Sequence, residues 1–190
     1  STRIIYTKEG QEVSTVAQVP LMENLPKGFM AVPSGRRSFR WRNDQPASLV
    51  FVKALDEGNP DTAVAFRDEV FQLEAPFDEM PKSMLKTQNR FSGIVWGNKN
   101  LAIAYDYWWN TRNKKTYLFN PSLPGGGVDL LFDQNYQDVY NDPGSFITRK
   151  NKLGRNVLAM KGSRAYLKGN GYSHQGQFPF LDEINLKSKI

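Results

Sequence analysis

Residues 93–134 read GIVWGNKNLAIAYDYWWNTRNKKTYLFNPSLPGGGVDLLFDQ. Four runs of strand formers stand out in this stretch: Gly93–Trp96, Leu101–Trp109, Thr116–Pro121 and Val128–Gln134. They are rich in β-branched and aromatic residues, whose side chains suit a pleated, half-buried surface. Turn formers separate them, at Gly97-Asn98-Lys99-Asn100, Asn110 to Lys115 and Pro121 to Gly127. The Gly125-Gly126-Gly127 run is not a phosphate cradle, because a strand follows it whereas such loops open a helix. The stretch therefore predicts one four-stranded antiparallel unit.

Working outward, the unit recurs. Trp41 precedes a polar turn and then the apolar Leu49-Val50-Phe51-Val52, as Trp96 precedes Gly-Asn-Lys-Asn and Leu101 to Tyr105. A weaker copy starts at Phe146-Ile147-Thr148-Arg149, turns at Asn151 to Gly154 and enters Val157 to Met160. The intervals are 55 residues from Trp41 to Trp96 and 53 from Trp96 to Arg149. Further strands are expected at Ile4–Tyr6, Ser48–Val52 and Val70–Leu73, and no capped amphipathic helix is evident. A four-stranded unit recurring at roughly 40 to 55 residues is the mark of a β-propeller blade. The expected fold is all-β, part of a β-propeller of about three to four blades. The boundaries are 1–35 for the end of one blade, 36–90 and 91–143 for two full blades, and 144–190 for an incomplete one. A ring of seven blades at this period needs about 370 residues, so the chain reads as about half a domain.

Composition narrows the chemistry. The chain has 190 residues, 25 Lys and Arg against 19 Asp and Glu, a net charge of +6, one His and no Cys. Disulfides, thiolate metal sites, a Cys nucleophile and multi-His metal sites are thereby excluded. No apolar run approaches the roughly 18 residues of a membrane helix, so no membrane partner is expected. The first residues carry no initiator Met and no signal pattern, and read as the interior of something longer. Basicity alone permits nucleic-acid contact, but no RNP-like aromatic strand motif accompanies it, and none is expected.

The densest cationic cluster is Arg36, Arg37, Arg40 and Arg42, interleaved with Phe39 and Trp41. Strand alternation would place Arg36, Arg40 and Arg42 on one face, the candidate substrate-facing residues, and Phe39 and Trp41 on the other. Trp108 and Trp109 are a candidate stacking pair of which alternation leaves one for any given surface. Asp56, Asn59 and Asp61 offer oxygen ligands for calcium but read as well as turn chemistry, and no metal or cofactor is expected. Gly171 to Gly176, with Ser173 and His174, misses the Gly-x-Ser-x-Gly elbow by one residue and leads into no helix. It predicts a polar turn with His174 exposed or bonded to backbone, and no catalytic residue is assigned.

Several stretches together resemble a known family. They include Val32 to Arg42 with Asp44, Arg67 to Phe77, Arg90 to Gly97, Trp108 to Arg112, Leu131 to Asp133, Tyr140 to Ser145 and Phe178 to Asp182. These resemble the propeller of glutamyl-endopeptidase-like members of the prolyl oligopeptidase family. The resemblance implies an N-terminal propeller that gates access to a separate C-terminal α/β-hydrolase domain carrying a Ser-Asp-His triad. That domain is expected outside these residues, as a partner within the same parent chain, with peptides as substrate. It implies a secreted, periplasmic or organellar parent, and open propeller edges that invite self-association. The alternative is a stand-alone propeller module that binds protein or glycan without enzyme activity.

Overall fold

The structure is a computed structural model and describes residues 2–18, 23, 25–123 and 125–189. A hairpin of β1 (Thr2–Tyr6) and β2 (Glu12–Gln18) comes first. An antiparallel four-stranded meander follows, formed by β3 (Arg37–Trp41), β4 (Ser48–Ala54), β5 (Asp68–Glu74) and β6 (Lys82–Thr87). The next has the same topology, with β7 (Arg90–Asn98), β8 (Leu101–Trp108), β9 (Asn113–Phe119) and β10 (Val128–Asn135). All four strands expected between residues 93 and 134 are present, each within a few residues of its expected limits.

The C-terminal region is less regular. Its strands are β11 (Ser145–Phe146), β12 (Thr148–Lys150), β13 (Asn156–Leu158), β14 (Met160–Lys161) and β15 (Arg164–Gly169), then β16 (Tyr172–Ser173), β17 (Gly176–Gln177) and β18 (Phe180–Asn185). β15 is the hub, pairing with β11, β14 and β18, while β12–β13 and β16–β17 form small hairpins. The Asn151 to Gly154 turn thus joins the two strands expected there. The fold is all-β, built from several four-stranded antiparallel sheets as expected for part of a β-propeller.

The sheets are layered, with a core between each pair. Leu49 and Phe51 of β4 face Ile5 and Val16 of the first hairpin. Val50 and Val52 face the other way, onto Ala102, Ala104, Trp96 and Phe119 of the next sheet. Ile103, between the two alanines, faces Phe146, Leu158, Ala165 and Leu167 beyond. Burial on both faces explains why β4 and β8 are almost continuously apolar rather than alternating. The small residues Ala102 and Ala104 are fully buried and let the sheets approach where Val50 and Val52 project.

Strands β2, β6, β15 and β18 carry little apolar signal in sequence. In β6, Met84 and Leu85 are both 2% exposed although they are neighbours, which strict alternation forbids. A register shift between Val70 and Phe71 in the β5–β6 pairing accounts for it.

Two predictions follow from the cores. Phe51 is 1% exposed and stacks on Phe71 at 5.4 Å. Phe51→Ala should therefore cost about 3–5 kcal/mol, read as a lowered urea midpoint with unchanged m-value. Burial pushes the Tyr105 phenol up to about 12. A raised pKa contributes stability that is complete below the unfolded value, about 10, and is lost as pH rises through the folded one. Thermal melts across that window should fall for the parent chain and fall less for Tyr105→Phe.

Candidate functional site

The most highly organised polar cluster lies where the two regular sheets meet. Arg90 opens β7, and its side chain is 3% exposed. Its Nη1 donates to Asp56 Oδ1 at 2.8 Å and to Asp68 Oδ1 at 3.2 Å, and its Nε donates to the Met30 carbonyl at 3.0 Å. Asp68 opens β5 and also accepts from Arg37 Nη2 at 2.5 Å and from the Phe91 backbone N–H at 2.8 Å. Asp56 accepts from Arg67 Nη1 at 2.8 Å and from the Gly58 N–H at 3.0 Å. The Arg67 guanidinium lies 3.8 Å from the centre of the Trp108 ring, which forms the floor of the cluster. Three guanidinium groups thus surround two carboxylates. Burial pushes the Asp68 carboxyl up, and Arg37 and the Phe91 N–H pull it back down. Among the described residues, Arg37 Nη1 and Arg90 Nη2 have no acceptor.

The backbone around this cluster is tightly constrained. Gly58 has φ +80°, and a Cβ there would come within 1.8 Å of the Val32 carbonyl oxygen. Only glycine lets the β4–β5 loop and the segment before β3 close over the arginines.

A third buried carboxylate, Asp106 of β8, is wholly shielded from solvent. It accepts from the Asn89 N–H at 2.9 Å, Asn89 Nδ2 at 3.0 Å, the Lys115 N–H at 3.2 Å and the Tyr117 hydroxyl at 2.7 Å. Burial pushes Asp106 up against the pull of these donors, and burial together with Asp106 pushes Tyr117 up. Both groups tie strands together; Asp106 is wholly buried, whereas Tyr117 borders a cavity of about 550 Å³.

The candidate arginines do not share a face. The expected alternation through Arg36, Arg40 and Arg42 is corrected by a register shift between Arg37 and Arg40, where Ser38 takes φ 55°. Arg36 donates to the Val16 carbonyl at 2.6 Å and sits 4.7 Å over the Phe51 ring. Arg42 lies past the end of β3 and is 3% exposed. It clasps Asp44 at 3.0 and 2.7 Å, donates to Gln72 at 2.5 Å and lies 4.4 Å over the Trp96 ring. Arg40 alone of the three is exposed. It borders a cavity of about 180 Å³ between β3 and β7.

The other candidates resolve by the same accounting. Trp108 is 9% and Trp109 42% exposed, so one tryptophan of the pair reaches the surface. Trp109 is flanked by Arg112 at 3.8 Å and by Phe29 at 4.8 Å. The two oxygens of Asp56 are taken up by Arg67, Arg90 and the Gly58 N–H. Ser173 donates to the Gly176 carbonyl at 3.0 Å within the β16–β17 turn, and exposed His174 stacks on Tyr140 at 4.9 Å. Sequence reasoning did not single out Arg90 and Asp68 as partners. The available signal was a charged residue opening each of two strands whose interiors are buried.

Two curated relatives match nearly the whole chain. It is 34% identical over 194 residues to a probable glutamyl endopeptidase, chloroplastic, of Oryza sativa subsp. japonica, covering 97% of this chain and 21% of that protein. It is 33% identical over 195 residues to a protein of the same name in Arabidopsis thaliana, covering 97% and 20%. The chain thus spans about a fifth of the length of these relatives. No family model matches it, and no solved structure matches it.

Truncating Arg90 leaves Asp68 with Arg37 and the Phe91 N–H and removes the guanidinium's bonds between the sheets. Arg90→Ala should destabilise by about 3–5 kcal/mol, because a broken buried pair strands a charge. Arg90→Lys should recover part of that loss, since an ammonium cannot span two carboxylates and a carbonyl in one plane. Denaturant unfolding of both variants checks this, and equal midpoints would refute the geometric part.

Proposed function

We propose that this chain is a non-catalytic propeller portion of a longer serine peptidase of the prolyl oligopeptidase family. In this reading it narrows the way to an α/β-hydrolase domain carried elsewhere in the same polypeptide. One observation carries the reading most of the way. Two four-stranded meanders of one topology run from Arg37 to Asn135, and 97% of the chain aligns with proteins named as peptidases while spanning only a fifth of them. Supporting it, the described hydroxyl and imidazole nearest to a nucleophile pair, Ser173 and His174, are engaged separately in a turn and an aromatic stack.

The physical role is steric. A wall of sheets with cores on both faces is stiff, because neither face can yield without opening a packed interior. A chamber behind such a wall admits an extended peptide and rejects a folded domain.

In the full-length protein, a serine-directed fluorophosphonate should label a residue outside residues 1–190. The protein should also cleave a short peptide while cutting a folded protein more than about tenfold more slowly than the same protein unfolded. Labelling within these residues would sink the assignment as non-catalytic, and equal rates on folded and unfolded substrate would sink the gating.

A further inference from the structure

We propose that Arg37 and Arg90 together hold a small monatomic anion of the chloride class, enclosed where the two regular sheets meet. The inference stands apart from the peptidase reading. It starts from two hydrogen-bond donors: Arg37 Nη1 and Arg90 Nη2 are shielded from solvent and have no acceptor among the described residues. Buried polar groups are nearly always paired, because a stranded donor forfeits its hydration, and a charged one forfeits more. The two guanidinium groups flank one carboxylate. Arg37 Nη2 donates to Asp68 Oδ2 at 2.5 Å and Arg90 Nη1 to Asp68 Oδ1 at 3.2 Å, so each keeps its other terminal nitrogen. Burial pushes the Arg37 guanidinium down, Asp68 pulls it back up, and the like charge of Arg90 adds to the fall. An anion shared by the two relieves that repulsion.

The charge of the cluster sets the sign of the partner. Arg37, Arg67 and Arg90 bring three positive charges and Asp56 and Asp68 two negative ones, an excess of one. Neighbouring acids are engaged elsewhere. Asp106, across from Phe91 in the β7–β8 pairing, accepts from Asn89, the Lys115 N–H and the Tyr117 hydroxyl. Glu69 accepts from Ser83 and lies between Lys53 and Lys86 in the strand register. Asp44 is committed to Arg42, and Glu57 is exposed. The Trp108 ring lies 3.8 Å from the Arg67 guanidinium and 5.9 Å from that of Arg90, which eases the excess without cancelling a charge.

The donors also set the kind of anion. A monatomic ion accepts from any direction and asks for nothing further. A phosphate or carboxylate brings extra oxygens that need donors of their own. A water leaves the unit charge unmatched and adds two O–H groups to place. The loop carrying Asp56 is fastened at Gly58, whose N–H donates to Asp56 and whose carbonyl accepts from the Val32 N–H at 3.1 Å. Behind it the ion ties the start of β3, through Arg37, to the start of β7, through Arg90.

The test is a thermal melt of the full-length protein in sodium gluconate replaced stepwise by sodium chloride. A constant ionic strength of about 150 mM holds general screening fixed. The midpoint should rise with chloride and level off, as binding to the folded form alone requires, and bromide should act alike. Arg37→Lys keeps a charge beside Asp68 but presents its donors from one atom, so the chloride giving half the rise should increase about tenfold. Arg37→Gln removes the excess charge and should abolish the rise; it decides the matter where the lysine variant melts too low to titrate. Crystals of the full-length protein grown in sodium bromide should show an anomalous peak within hydrogen-bonding distance of Arg37 Nη1 and Arg90 Nη2. The same midpoint in chloride and gluconate, or a rise that both substitutions leave unchanged, overturns the proposal. So does a crystal without that peak, and a peak without the rise is binding at crystal concentration only and overturns it as well.

Discussion

Taking the Arg90 guanidinium out of water is the constraint around which the two regular sheets are arranged. An isolated buried charge would cost far more than one domain can offset, so acceptors must meet it from several directions. They arrive from the β4–β5 loop as Asp56, from the start of β5 as Asp68, and from the segment before β3 as the Met30 carbonyl. Each acceptor locates a different piece of chain relative to β7. The cluster therefore sets the register of one sheet against the next, which apolar packing alone specifies only loosely.

The apolar layers do the complementary work. With Leu49 and Phe51 facing one core and Val50 and Val52 another, β4 is shared between two interiors. Strand β8 repeats the arrangement one layer on, through Ala102 and Ala104 on one side and Ile103 on the other. Stacked sheets of this kind gain little stability alone, because each has two faces to cover, and a good deal as an array. The charged cluster and the buried Asp106 site give that array direction, since polar groups accept only one docking geometry.

The same pairing logic separates the engaged arginines of this region from the exposed one. Arg36, Arg37, Arg42, Arg67 and Arg90 each hold a carbonyl, a carboxylate or an aromatic face. Arg40, in the middle of the same cluster, is the exposed one. The register shift in β3 at Ser38 separates Arg36, which lies over Phe51, from Arg42, which lies over Trp96 on the opposite face.

Much of the fold was legible in residues 93–134, where the strand runs, the turns and the two-tryptophan repeat all point to four-stranded units. Strands β6 and β18 were not, because polar edge strands take their partner from a neighbour and show little of their own pattern. The site was legible only as a cluster of arginines. By itself the sequence determined that the chain is all-β, where its central strands lie and that the unit repeats. These follow from local propensity and period, which each segment carries with it. Tertiary structure alone decided which arginine is paired and which is open. Asp68 lies 22 residues from Arg90 and Asn156 lies 113 from Asn43, so those partnerships exist only once the sheets have stacked.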